Sequence, residues 1–155
     1  MKLFLKRDGG GFLVLDKSGH EKYTVSVLSG TKQKITVEAP DHTILSTIAN
    51  KNMVLRYFSI KCSGRLYVLV PCMGERFAFV IYGSTYRFAG SIADGCFSLF
   101  DVDTSPIMTQ KKCWCRFGDG YELNLYNDEQ EIFALSVAVC AAMYVSSSDE
   151  APVPT

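Results

Sequence analysis

Short apolar segments and turn residues alternate along the chain as far as Tyr126. Glycine, proline, asparagine, aspartate and serine recur about every eight to twelve residues, and the segments between them are rich in valine, isoleucine, tyrosine, phenylalanine and threonine. Asp-Gly and Ser-Gly pairs between these segments indicate hairpin turns, because glycine adopts a positive φ without a Cβ penalty. The pattern predicts about twelve short strands, each paired antiparallel with its neighbour in sequence.

The apolar run at residues 132–145 differs from everything before it. It has no charged residue and its only polar residue is Ser136, so a helix here is apolar on every face and should be enclosed by protein. Such a helix is roughly 21 Å long, too short for a bilayer core of about 30 Å. Asp128 is placed to cap it, with Glu131 completing a capping box and Glu129 favouring the positive end of the dipole. A tail anchor and the wall of a ligand cavity are the alternative interpretations of the run.

Together, the strands and the helix predict a mainly β fold. We expect a closed antiparallel barrel of about twelve strands around a buried hydrophobic C-terminal α-helix at about residues 128–145, because barrel diameter grows with strand number and an eleven-stranded can already holds a central helix. Closure also removes exposed strand edges. A single barrel domain is predicted to span residues 1–146, and the polar, proline-containing segment 147–155 to be disordered.

Composition narrows the functional classes. Sixteen basic and sixteen acidic residues leave no net charge and a pI near 6.7, so no global field would draw the chain to nucleic acid. The N-terminal segment has no hydrophobic stretch long enough for a signal peptide. We therefore expect a cytoplasmic protein that is not transmembrane, and whose six cysteines are reduced and metal-free.

A five-residue segment, Lys-Cys-Trp-Cys-Arg, is the sharpest local feature. In a strand, Lys112, Trp114 and Arg116 share one face, and Cys113 and Cys115 the other. We interpret the first three as an outward basic–aromatic–basic stripe, the candidate ligand-binding residues for an anionic lipid headgroup. The alternative is an ordinary wet strand face, on which the long basic side chains cover the tryptophan. The same alternation directs the two cysteines into the core.

Motifs for catalysis or metal binding are missing from the sequence. Residues 101–105 begin like a calcium loop, but Pro106 occupies the position that needs glycine, so the segment is interpreted as a turn. His20 and His42 have no carboxylate or nucleophile partner in a motif. We expect no catalytic residue, no metal site and no cofactor.

The order of these features resembles the tubby C-terminal-like superfamily, and within it the small LURP-one-related proteins of bacteria and plants. The resemblance is best over residues 107–144: an Ile-x-x-x-Lys-Lys strand, an Asp-Gly-Tyr-x-Leu-x-Leu strand, an acidic cap and the apolar helix. It implies a twelve-stranded barrel threaded by a hydrophobic helix, and no enzymatic activity. In the tubby branch it implies phosphoinositide binding through a Lys-x-Arg pair. This chain has Lys6-Arg7, Lys32-x-Lys34 and Lys112-x-x-x-Arg116 instead, so no lipid-binding residue is carried over.

Three functional hypotheses follow. The first is a non-enzymatic binding module for a lipid, a phosphoinositide headgroup or a membrane surface, which the resemblance and the face of Lys112, Trp114 and Arg116 support. The second is a protein–protein interaction or structural scaffold that uses loops at the barrel ends. The third is an enzyme without a recognised motif. An exposed basic face would favour the first, an exposed apolar patch the second, and a pocket of titratable groups the third.

Overall fold

Strand-forming and helix-forming segments separate along the chain as the hydrophobic pattern predicts. The computed structural model describes residues 1–28, 33–52, 56–72, 78–115 and 118–149, without the side chains of 51, 52, 56, 114, 115 and 146–149. Within these ranges, twelve strands precede a 3-10 turn at Asp128–Gln130 and the helix α1 (Glu131–Asp149). The strands are β1 (Lys2–Asp8), β2 (Gly11–Asp16), β3 (Glu21–Leu28), β4 (Gln33–Glu38), β5 (Ile44–Asn52), β6 (Arg56–Cys62), β7 (Arg65–Cys72), β8 (Ala78–Tyr82), β9 (Arg87–Ser91), β10 (Cys96–Phe100), β11 (Pro106–Cys115) and β12 (Gly118–Leu125).

The strands form one antiparallel sheet in which sequence neighbours lie side by side. The order across the sheet is β8-β7-β6-β5-β4-β3-β2-β1-β12-β11-β10-β9. The pairing of β1 with β12, in which Leu3 lies opposite Leu123, brings together distant parts of the chain. Two-residue turns such as Ser63-Gly64, with both residues at positive φ, match the twist of the strands they join.

The two ends of the sheet, β8 and β9, meet and nearly close the barrel. Among the described residues no ladder joins them, and aromatic side chains close the seam instead. The ring centroid of Phe79 lies 5.5 Å from that of Phe88 across the seam and 6.1 Å from that of Tyr144 on α1. Phe88 in turn stacks on Phe97 of β10. The structure confirms the predicted twelve-stranded antiparallel barrel, with a seam that is held by packing.

The helix α1 lies inside the barrel, as the uncharged run predicts. Every residue from 133 to 143 is buried, with an exposed fraction of 7 % or less, and inward side chains of the strands form the wall around them. Ser136 is buried as well. Its hydroxyl donates to the carbonyl of Ile132 (2.7 Å) and lies 2.8 Å from the hydroxyl of Ser46 on β5. The polar group within the run is therefore paired, which removes most of the cost of burying it.

The N-terminus of the helical segment differs by one residue from the prediction. Asn127, rather than Asp128, is the cap: its side-chain oxygen accepts a hydrogen bond from the amide of Glu129 (3.1 Å). The 3-10 turn follows, and the α-helix begins at Glu131. Asparagine and aspartate are comparable caps, so residue type alone does not choose between neighbouring positions.

The carboxylate of Glu131 joins the helix to the barrel wall instead of completing a capping box. Its Oε1 lies 2.9 Å from Lys22 Nζ, and its Oε2 accepts a hydrogen bond from the Tyr23 hydroxyl. Burial, and then the neighbouring carboxylate, raise the pKa of Tyr23 above its usual value. The buried acid is thereby paired, and it fixes the start of α1 against β3.

The C-terminal end of α1 also lies beyond the predicted boundary. The helix continues to Asp149, so residues 147–149 of the segment predicted to be disordered are helical, and residues 150–155 lie outside the described residues. The reason is that no glycine or proline occurs between Val145 and Pro152 to stop the helix. Within the described ranges, no helix is long and apolar enough to cross a membrane.

Candidate functional site

The strand β11 presents the candidate residues differently from the prediction. Met108 and Gln110 are buried on its inner face, Gln110 with an exposed fraction of 4 %. Lys112 follows in the same alternation and lies opposite Tyr121 of β12, so it lies on the inner face too, where the strand reaches solvent. The outward direction predicted for Lys112 is therefore wrong. A polar residue, Gln110, occupies a core position, and the local alternation of residue types does not reveal this.

The outer face of β11 carries a different lysine. Lys111 Nζ lies 2.8 Å from Glu122 Oε2, and Lys2 Nζ lies 3.0 Å from Glu122 Oε1. The hydrogen bond from Lys111, with the one from Lys2, lowers the pKa of Glu122. Cys113 also lies on this face and is partly exposed, so its predicted place in the core is wrong. The basic charge outside β11 is thus already paired.

Of the three candidate residues, Lys112 alone has a described side chain. Trp114 lies opposite Asp119 in the β11–β12 ladder, and its side chain, like that of Cys115, is not among those described. Arg116 lies outside the described residues. The site around β11 is therefore defined from Lys112 and its neighbours.

Lys112 lies at the barrel end where α1 emerges, in a depression of about 270 Å³ that we call the barrel mouth. The floor is apolar, because Leu5 and Phe12 are buried, and the rim is charged, because Arg7, Lys112 and Asp119 are exposed. The Arg7 guanidinium lies 5.4 Å from the ring centroid of Phe12. Among the described residues, no ion pair holds either cation. The depression is lined by Leu5, Arg7, Phe12, Lys112, Asp119, Gly120, Tyr121 and Val145.

The opposite end of the barrel carries a wider and acidic depression of about 470 Å³, which includes Asp101, Asp128 and Glu129. Asp101 and Asp103 accept backbone hydrogen bonds within residues 101–105, which confirms the turn predicted there. In the part of the chain that the structure describes, no three histidine, cysteine, aspartate or glutamate side chains are grouped to hold a metal ion. This end therefore has charge but no built coordination site.

The histidines and cysteines lie at scattered positions. His20 and His42 are exposed on turns. Cys62 and Cys140 are buried, and burial raises the pKa of both thiols. Cys72 is exposed at the end of β7. A buried thiol with a raised pKa is a poor nucleophile, so the two inner cysteines act as small apolar side chains.

A second surface, on the outside of β7 and β8, was not predicted from the sequence motifs. Its side chains alternate with buried core residues, yet none of them is charged. Leu66, Val80 and Tyr82 have exposed fractions of 60 %, 40 % and 57 %. Val68 lies opposite Tyr82, and Val70 opposite Val80, so the apolar positions are contiguous. We call the following residues the apolar outer face: Leu66, Val68, Val70, Cys72, Val80 and Tyr82.

The outer face of β3, β4 and β5 shows what an ordinary strand surface of this barrel looks like. Ser26 lies opposite Thr36, and Thr36 opposite Thr47. The Ser26 hydroxyl donates to the Glu38 carboxylate at 2.7 Å. Polar side chains are expected where an antiparallel sheet faces water. The apolar outer face is therefore a local departure of the kind that marks an interaction surface.

Basic residues border the apolar outer face. Lys61 lies opposite Leu66 and Arg87 begins β9, and both cations are exposed. Arg65 begins β7 but shares the alternation of the buried Tyr67 and lies opposite the buried Cys62, so it belongs to the barrel end and not to this face. Residues 53–93 contain five basic residues and one acidic residue, so this segment carries +4 and the rest of the neutral chain −4. None of the ion pairs among the described residues includes Lys61 or Arg87. We call Lys61 and Arg87 the basic rim.

Comparison with known proteins places the fold. No protein-family model matches the chain, and no curated protein matches it in sequence. An X-ray structure of a protein from Arabidopsis thaliana is similar, with a TM-score of 0.70 over 92 % of this chain and 90 % of that one, at 13 % sequence identity. The class of protein is thus a twelve-stranded antiparallel barrel with a C-terminal α-helix packed against the sheet, and the plant protein shares that fold.

Proposed function

We propose that the protein is a non-enzymatic binding module that associates with anionic membrane surfaces through the apolar outer face and the basic rim. The observation that carries the proposal is that the exposed apolar side chains of β7 and β8 lie beside the exposed cations Lys61 and Arg87. The sequence resemblance to LURP-one-related and tubby C-terminal-like proteins supports it, because the tubby branch binds phosphoinositides. A cytoplasmic location is part of the proposal, since the cytoplasmic leaflet carries the anionic lipids.

The chemistry of the surface suits a lipid layer. Leu66 and Tyr82 offer apolar area, and full burial of such a side chain is worth about 1.5–3 kcal/mol. Tyrosine has an apolar body and a polar tip, which matches the membrane–water interface. Each basic residue near an anionic leaflet adds about 1 kcal/mol, so the basic rim adds about 2 kcal/mol. Binding should therefore be weak and reversible.

Vesicle co-sedimentation tests the proposal. Vesicles of phosphatidylcholine with phosphatidylserine should pellet the protein, and pure phosphatidylcholine vesicles should not. Added salt should weaken binding, because the attraction extends over a Debye length of only about 8 Å at physiological ionic strength. A third vesicle set, with a phosphoinositide at matched total charge, measures headgroup selectivity.

Two double variants test which surface of the barrel contacts the vesicles. Leu66→Glu/Tyr82→Glu should abolish sedimentation, because it places charges where apolar contact is required. Thr24→Glu/Asn124→Glu makes the same change of net charge on β3 and β12, away from the basic rim, and should retain most binding. Thermal unfolding checks that both variants fold. Failure of the wild type to sediment with anionic vesicles at low salt would contradict the proposal, as would an equal loss in both variants.

A protein–protein scaffold is the second candidate, and the apolar outer face is the observation in its favour. Two copies that paired through this face would bring their basic rims together, which opposes self-association. Sedimentation velocity separates the candidates. A wild-type dimer that Leu66→Glu/Tyr82→Glu converts to a monomer, without vesicle binding, would assign the surface to a protein contact.

A further inference from the structure

We infer that the barrel mouth is a separate binding site for a small anionic amphiphile, a molecule with one carboxylate or phosphate group and a short apolar chain. The mouth is formed by β1, β2, β11, β12 and the end of α1. The apolar outer face is on β7 and β8, and β7 stands six strands from β1 in the order of the sheet. The inference therefore goes beyond membrane association and does not rest on it.

Two cations on different strands supply the site for the anionic group. Arg7 reaches the mouth from β1 and Lys112 from β11, on either side of β12. The Arg7 guanidinium lies 5.4 Å from the centroid of the Phe12 ring, and the stem of Lys112 starts beside Gly95, whose small size leaves room for it. Among the described lining residues Asp119 is the acidic one, so these residues together carry a net charge of +1. A carboxylate or phosphate between the cations would gain charge-assisted hydrogen bonds from both.

The floor of the mouth supplies the site for the apolar chain. Leu5 and Phe12 are buried core residues of the barrel, and Val145 comes from α1. Leu5 and Phe12 close the floor, and the partly exposed side chains of Val145 and Tyr121 are what an apolar chain would cover. An ion without an apolar part would leave these two side chains in contact with water. The volume of about 270 Å³ lies just below the range of about 300–1,000 Å³ typical of pockets for drug-sized ligands, so the ligand is small.

Isothermal titration calorimetry with simple probes tests the site. Octanoate and octyl phosphate should bind, while octanol and inorganic phosphate should bind far more weakly because each has only half of the required chemistry. Lys112→Gln should weaken octanoate binding about tenfold, and Lys112→Arg should retain it. Asp119→Asn should tighten binding, since it removes the acidic charge of the rim. Lys6→Gln is the matched control, because Lys6 neighbours Arg7 in sequence but lies on the outer face of β1.

Three results would overturn the inference. The first is that the wild type binds neither octanoate nor octyl phosphate. The second is that octanol or inorganic phosphate binds as tightly as these two amphiphiles. The third is that Lys6→Gln loses as much affinity for octanoate as Lys112→Gln does. A vesicle experiment keeps this site distinct from the proposed function. Lys112→Gln should sediment like the wild type, and Leu66→Glu/Tyr82→Glu should still bind octanoate. A loss of vesicle binding in Lys112→Gln as large as in that double variant would contradict a separate site.

Discussion

The substitution Ala138→Asp is a stringent test of whether the barrel encloses α1. Ala138 is central in the buried run 133–143 and has an exposed fraction of 0 %. An aspartate there must either stay ionised in an apolar core or bind a proton. Buried carboxyl groups have reached pKa values of about 8–9. Keeping such a group neutral at pH 7 costs about 1.36 kcal/mol for each pH unit above its ordinary pKa of about 3.9.

The expected loss in the free energy of unfolding is therefore about 4 kcal/mol at pH 7 from protonation alone. Burial of the neutral carboxyl and its extra volume adds about 1–3 kcal/mol. Domains of this kind have a total stability of about 5–15 kcal/mol, so the variant should be close to unfolding at neutral pH. Because the pKa is raised in the folded state, the folded chain holds more protons than the unfolded chain between about pH 4 and pH 8. The variant should therefore recover stability as the pH falls through this range.

Urea unfolding followed by circular dichroism at pH 5 and pH 7.5 measures both effects. The matched control is Ala89→Asp, because Ala89 is exposed on β9, and this change should cost about 0.5 kcal/mol or less. The difference between Ala138→Asp and the control should be larger at pH 7.5 than at pH 5. A variant within about 1 kcal/mol of the wild type at pH 7.5 would refute the reasoning, because an enclosed helix could not accept the charge so easily.

Other consequences of the packing are open to direct measurement. Deleting residues 132–155 removes the barrel core, so the truncated chain should lose its native circular dichroism, and a folded monomer would contradict the architecture. Ser136→Ala should cost about 1–3 kcal/mol in urea unfolding because the Ser46 hydroxyl loses its partner, and a further Ser46→Ala should restore part of the loss. The exposed thiol of Cys72 should react with a thiol reagent in the folded protein, and the buried thiol of Cys140 only after unfolding. Mass spectrometry without reductant, with metal analysis, should find six reduced, metal-free cysteines, and a disulfide or stoichiometric zinc would refute this.

The architecture could be predicted because its signals are local. Glycine-containing turns separate the strands, and a hairpin turn leaves a strand little choice of partner. The run 132–145 has no polar face, so only an enclosed position suits it. Nearest-neighbour pairing and one enclosed helix together define most of the barrel. The β1–β12 pairing and the seam between Phe79 and Phe88 follow from closing the sheet rather than from any motif.

Which side chains of β11 face the barrel interior could not be predicted, because this depends on a contact with a residue of another turn. The side-chain amide of Gln110 donates to the carbonyl of Gly95 at 3.4 Å inside the barrel. This contact lets a polar residue occupy the inner face and shifts Lys112 to the same face. The barrel mouth is likewise invisible to local patterns, because its lining comes from four strands and the helix.

The apolar outer face did have a signal in the sequence. Residues 66–70 read Leu-Tyr-Val-Leu-Val without a polar residue, so β7 is apolar on both faces. Such a run is typical of a strand that is covered on both sides. The barrel covers only the side of Tyr67 and Leu69, which are buried. β2 has the same pattern, since Leu13 and Leu15 alternate with buried core residues, but these two leucines are only partly exposed, whereas Leu66 of β7 is 60 % exposed.

A fluorophore on Cys72 tests the proposed membrane contact most directly. Cys72 is an exposed residue of the apolar outer face, and an environment-sensitive dye can be attached to it when Cys96, Cys113 and Cys115 are replaced by serine. The matched control has Cys72→Ser as well and carries the dye at Lys6→Cys, on the opposite side of the barrel. Anionic vesicles should shift the emission of the dye at position 72 to shorter wavelength and leave the dye at position 6 unchanged. An unchanged emission at position 72, or equal shifts at both positions, would contradict membrane contact through this face.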